Sequence, residues 1–235
     1  MIIDNLPFLK LLQLADSAVP IGSAAHSFGL ETLTIENDLD VNQLENFLRH
    51  YLAETGVLES AFCRLGHRLA PEQGAALSAD TWPTLNQRLS ALKTARESRM
   101  ASATLGRRFL QLVIALEEAP CLRQAFAISR QQPCDIHFST AFGLVGAVLG
   151  VDETTTVLAY LQQSLATLIS ASQRLLPLGQ NQASTIQWRL KSTLLEIAEW
   201  SREQAEQPAE LQVFTPLVDV GSMRHPHLQT RLFIS

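Results

Sequence analysis

ETTTVLAYLQQSLATLISASQRL, residues 153–175, decides the fold class. Val157, Leu161, Leu165, Leu168 and Ser172 recur there at steps of three and four, the period that gathers side chains on one face of an α-helix. Working outward, Leu105, Phe109, Leu112 and Leu116 repeat the pattern and fall within a narrow arc of a helical wheel, so this stripe is expected to face the core. Further helices are expected near 5–14, 24–35, 41–54, 57–70, 82–92, 120–130, 138–149 and 182–206, separated by Pro, Gly or capping Asp and Asn residues. Strand-like alternation is almost absent. From Leu211 onward β-branched residues, two prolines and a glycine discourage a long helix. The expectation is an all-α chain: one globular helical domain over residues 1–210 and an extended or irregular tail over 211–235.

At 235 residues and 46% hydrophobic content the chain is long enough to bury a full core. A net charge of -5 and a pI near 5.7 argue against sequence-independent nucleic-acid binding, which needs a broad basic footprint. Cys63, Cys121 and Cys134 lie far apart without a C-x-x-C pair, so neither a disulfide framework nor a zinc knuckle is suggested. Free thiols suit a reducing cytosol. Asp4 and Lys10 interrupt the short apolar N-terminal run, and no apolar run approaches the ~20 residues of a membrane span. A soluble cytoplasmic protein is expected.

Candidate chemistry begins with PIGSAAHSFG, residues 20–29, whose glycines precede a helix as they do in phosphate-binding loops. No G-x-x-x-x-G-K-[ST] or G-x-G-x-x-G occurs, no lysine lies in the segment and no strand precedes it. Pro20 and Gly22 are better read as setting a turn, with Ser23 as an N-cap candidate for the next helix. His225-Pro226-His227 is an H-x-H, but two imidazoles are half a usual metal site, and a surface or interface role for them is favoured. His26 reads as a hydrogen-bonded structural histidine. No G-x-S-x-G elbow is present and no general-acid pair can be picked out, so an enzyme is not indicated.

Residues 88–108 hold six Lys or Arg and one acid, Glu97. Arg96, Arg99 and Arg107 lie opposite the Leu105 stripe, which fits either a solvated face or a docking surface for an acidic partner. In SASQRLLPLGQNQAS, Pro177 and Gly179 end the 153–175 helix and redirect the chain. Arg174 before that corner is placed to cap carbonyls or pair with a carboxylate.

LLQLADSAVPIGSAAHSFGLE near the start, ALKTARESRMASATLGRR in the middle, GLVGAVLGVDETTTVLAYLQQSLATLISASQRLLPLGQ later and SMRHPHLQTRLFIS at the end together resemble the UreF family of urease accessory proteins. The blocks keep their order from about residue 11 to the last residue. The resemblance implies an all-α homodimer with no cofactor of its own and no activity as an enzyme. Such proteins bind UreD (UreH in some systems), recruit the GTPase UreG and help deliver nickel to apo-urease; nickel and GTP are handled by the partner complex. They are also thought to influence when UreG hydrolyses GTP. Neither nucleic acid nor membrane is an implied partner. Two rival readings are a nickel carrier using His225 and His227, and a helical adaptor unrelated to urease.

By the same resemblance Pro20, Gly22, His26, Ser27, Gly29 and Glu31 belong to a bend expected to present a partner-binding surface, to which the charge pattern adds Arg96 and Arg99. Arg174, Pro177, Gly179 and Gln180 fall at a family-typical turn, and Arg231, Leu232, Phe233 and Ser235 in a tail expected to become ordered on docking. The chain departs from the family pattern at Ser23, at Phe28, at 181–184, at Pro226 and at Ile234.

Overall fold

The computed structural model describes residues 5–36, 38–72 and 75–235; Asp4 lies outside them. Helix α8 (Phe138–Val148) is the axis of the molecule. It is buried from Phe138 through Gly146, which suits a sequence apolar on every side. Its neighbours are α4 (Val57–Arg68), α6 (Arg96–Leu116) and α9 (Glu153–Leu175). Backbones meet closely here: a Cβ on Gly66 would stand 2.3 Å from the Thr140 carbonyl oxygen, and one on Gly143 would stand 1.9 Å from that of Cys63. Phe109, Phe138, Phe142 and Tyr160 interlock beside this crossing, with ring centroids 5.2–5.8 Å apart. Such offset and edge-on contacts add to the area they bury.

Helix α9 matches its expected span, and all five residues of its stripe are buried. Asp152 caps it, accepting from the Thr155 N–H at 2.9 Å. One polar group ties the inner helices together. Arg64 of α4, 1% exposed, donates to Ser201 Oγ and the Ala198 carbonyl of α11 (Lys191–Glu206), and to Glu153 of α9. Its guanidinium is thereby compensated inside the core.

The outer helices are α1 (Asn5–Leu14), α2 (Leu30–Ile35), α3 (Val41–Tyr51), α5 (Thr81–Leu92), α7 (Pro120–Gln131) and α10 (Gln180–Arg189). Several expectations are corrected. The helix expected over 24–35 splits into a 3-10 turn, Ser23–Ala25, and α2, because Phe28 and Gly29 between them take positive φ. Gly22 rather than Ser23 precedes the turn. The helices expected over 41–54 and 57–70 are one rod, joined by a π-helical segment, Leu52–Gly56, in which Gly56 keeps helical angles. The run 182–206 breaks at Leu190, whose ψ of 0 turns the chain while its side chain enters the core. In α6 the core face runs through Leu105, Phe109 and Val113; Leu116, at the helix end, is 58% exposed.

The tail also differs from expectation. Residues Pro216–Arg224 form α12, followed by a 3-10 turn, His225–His227. Pro216 occupies the first turn, where its missing N–H has no intrahelical partner to lose. Gly221 lets α12 cross α2: a Cβ there would lie 3.1 Å from the Gly29 carbonyl oxygen. Packing against α2 and α6 thus overrides weak local propensity. No helix among the described residues is long and apolar enough to cross a membrane.

Candidate functional site

The bend between α1 and α2 and the last residues of the chain form one structure. Buried Glu31, in the first turn of α2, accepts from the Leu232 N–H at 2.5 Å, the Phe233 N–H at 3.1 Å and His225 Nε2 at 2.8 Å. His225 Nδ1 bonds Glu97 of α6 at 2.8 Å, so the fully buried imidazole bridges two carboxylates. Arg231 stands 3.9 Å from Glu97. The chain end closes the ring: the Ser27 N–H donates to the Ser235 oxygen at 2.5 Å, the Ile234 N–H to Ala25 O at 2.8 Å, and Ser235 Oγ lies 2.7 Å from His26 Nδ1. Burial, aided by Arg108, lowers the pKa of His26 and favours a neutral ring.

Arg174 joins this assembly from the end of α9. Its guanidinium donates to Ala24 O at 2.6 Å and lies over the Phe233 ring, 4.2 Å from the centroid. One side chain thus holds both the bend and the tail. Gly22 (φ 90) and Gly29 (φ 89) make the bend possible. Pro20 is exposed at its rim, and Ser27 Oγ accepts from the Glu31 N–H at 3.5 Å.

Not every candidate converges. Pro177, Gly179 and Gln180 form the corner between α9 and α10, and among the described residues no hydrogen bond ties them to the bend or tail. Arg99 turns away to donate to the Lys93 carbonyl at 2.7 Å. Arg96 lines a groove of about 550 Å³ between α6, α12 and the chain end, with Met100, Met223 and Ile234 exposed along it. At the groove Ser222 Oγ is buried without a hydrogen-bond partner among the described residues. His225 and His227 do not converge as an H-x-H: the first is sealed between Glu31 and Glu97, the second is exposed. Among the described residues no group of three or more His, Cys, Asp or Glu is placed to hold a metal ion.

Sequence reasoning missed the part of Glu97, whose one signal was being the lone acid in a basic stretch. It also missed the Glu59–Lys93 pair, 8% exposed on each side, with Ser139 donating to Glu59 at 2.6 Å. Burial pushes the Glu59 carboxyl up, but Lys93 and Ser139 outweigh it and hold the group below its ordinary range. Burial raises the thiols of Cys63, Cys121 and Cys134, so none is a ready nucleophile at neutral pH.

The family model for UreF matches residues 39–191. The chain is 30% identical over 227 residues to a urease accessory protein UreF of Actinobacillus pleuropneumoniae, covering 96% of this chain and 97% of the relative. It is 32% identical over 235 residues to the one of Lachnoclostridium phytofermentans, covering 97% and 98%. A third, from Geobacillus kaustophilus, is 30% identical over 229 residues, covering 97% of each chain. The family model over more than half of the chain and similarity to these relatives along nearly the whole length agree: the chain belongs to the UreF family of urease accessory proteins.

Proposed function

We propose that this chain is a non-catalytic scaffold of urease maturation that binds UreD, recruits the GTPase UreG and so assists nickel delivery to apo-urease. In this reading it works as a homodimer in the cytoplasm, carries no cofactor of its own and influences when UreG hydrolyses GTP. One observation carries the proposal. The bend and the tail, far apart in sequence, are locked into a single surface by Glu31, Arg174 and Ser235, with Met100, Met223, Leu232 and Ile234 exposed around it. Apolar side chains presented on a rigid polar frame suit protein recognition. A nickel-carrier role is less well supported, because both ring nitrogens of His225 are already committed to carboxylates.

The test is co-expression with UreD and UreG of the same organism, followed by size-exclusion chromatography with light scattering, with and without a GTP analogue. A complex holding two copies of this chain, and UreG retained only in its presence, is the expected result. A chain that elutes alone and ignores both proteins would sink the scaffold reading. Deletion of residues 224–235 should abolish UreD binding while the helical core persists; unchanged affinity would remove the tail from the interface.

A further inference from the structure

Positive charge in this molecule is divided into two populations. Outside positions 88–130, every arginine except Arg174 lies within an ion pair to a carboxylate, as with Arg49 and Glu45 or Arg224 and Glu36. Inside that segment no arginine has such a pair among the described residues, although Arg96, Arg107, Arg108, Arg123 and Arg130 are exposed. Arg108 donates to the Ile21 carbonyl and Arg107 lies over the Phe126 ring, contacts that leave both charges uncompensated. A chain of net charge -5 has carboxylates enough to pair them, yet this face is left positive.

The unpaired charges lie along a shaped surface. Arg96, Met100, Thr104, Arg107 and Gln111 follow one exposed line of α6, on the side opposite Leu105 and Phe109, over about 22 Å of helix. Depressions of about 550, 370 and 520 Å³ border the line; the first two share Met100 and Thr104, the last two Arg107 and Asp135. Of the two acids nearby, Glu97 is bridged by His225, while Asp135 accepts from Ser90 Oγ at 3.2 Å and makes no ion pair with an arginine among the described residues. Met100, 54% exposed, adds an apolar anchor about one turn from Arg96 and two from Arg107.

We propose that this face of α6 docks an acidic amphipathic helix of a partner protein, with carboxylates about three turns apart on Arg96 and Arg107 and an apolar side chain over Met100. The inference rests on the reading that this chain works by binding other proteins, and adds which face is used and what chemistry meets it. A protein segment fits better than nucleic acid: the face is short and carries an exposed apolar side chain, Met100, whereas sequence-independent binding of a polyanion needs a broad basic footprint.

The experiment uses the full chain reconstituted with UreD and UreG, by hydrogen exchange and by affinity at low and high salt. The variants are Arg96→Glu with Arg107→Glu, Met100→Asp alone, and Arg202→Glu on α11 as a charge control. Protection of residues 96–111 in the wild-type complex is expected, with about a tenfold or greater loss of affinity in the double variant and in Met100→Asp, and little in the control. A wild-type complex that forms while residues 96–111 stay unprotected and the variants bind normally would overturn the docking face and leave the scaffold reading intact. Failure of the wild type to bind either protein would remove both. A fluorescent DNA duplex that binds wild type and not the double variant would reassign the face to nucleic acid.

Discussion

His225 Nε2 and Glu31 Oε2 meet at 2.8 Å across 194 positions of sequence. The same carboxylate receives the backbone N–H groups of Leu232 and Phe233, so α2 acts as receptor for the end of its own chain. Glu31→Gln puts an amide donor among three donors. It should free the tail at a cost of about 2–4 kcal/mol. Hydrogen exchange over 225–235 should accelerate by tenfold or more with unchanged circular dichroism; retained protection would show that Arg174 and Ser235 suffice without it.

The two glycines of the bend should respond differently to a side chain. At Gly22 a Cβ meets Arg108 Nη1 at 2.6 Å, the far end of a flexible side chain that can move. At Gly29 it meets the Val218 carbonyl oxygen at 3.0 Å and the Ser222 nitrogen at 3.3 Å, backbone that cannot yield without shifting α12. Gly22→Val should therefore cost mainly the strain of positive φ, about 1–2 kcal/mol, and weaken partner assembly while helicity persists. Gly29→Val should cost clearly more, about 3 kcal/mol or above, and expose the tail to limited proteolysis. Equal urea midpoints for the two would contradict this account.

Lys93 and Glu59 share a buried site, so truncating one strands the other. Lys93→Ala should destabilise by about 3–5 kcal/mol, since Glu59 then lacks its compensating charge. Lys93→Met with Glu59→Leu should recover much of that loss in chemical denaturation. A double variant worse than the single would mean that the pair stabilises the fold on balance.

His137 links stability to pH. Burial first, then Lys93, lower its pKa from 6.5 to about 4, against the opposing charges of Glu59 and Asp135 and in the same sense as Arg99. Its ring contacts Ser102 Oγ at 3.0 Å and Ser90 Oγ at 2.8 Å. The folded state therefore keeps the ring neutral while the unfolded chain takes up a proton below 6.5. This contribution is fully present above pH 6.5 and is lost as pH falls toward 4, on the order of 3 kcal/mol in all. His137→Gln should flatten that part of the urea-midpoint profile; an unaltered slope would mean that His137 does not carry it.

Much of the fold was legible because helical period is a local property. The 153–175 stripe and the spans 5–14, 82–92 and 120–130 agree with α9, α1, α5 and α7 to within a residue or so at each end. The family motifs also marked the bend, Arg174 and the tail as residues to watch. Their arrangement was not legible. Nothing in the spacing of Glu31, Glu97 and His225 announces that they meet, and no local signal separates Arg174, which joins the site, from Gln180, which does not.

The amino-acid sequence by itself determined an all-α chain, its principal helices and its membership of the UreF family, since periodicity, capping residues and ordered motifs are written along the chain. Tertiary structure alone decided that the tail is helical and docked. The propensity of 216–224 is weak, and α12 gains its stability from the Gly29–Gly221 crossing and from carboxylates more than a hundred positions away. Long-range burial, which satisfies those polar groups only when all of them are assembled, has no counterpart in local sequence.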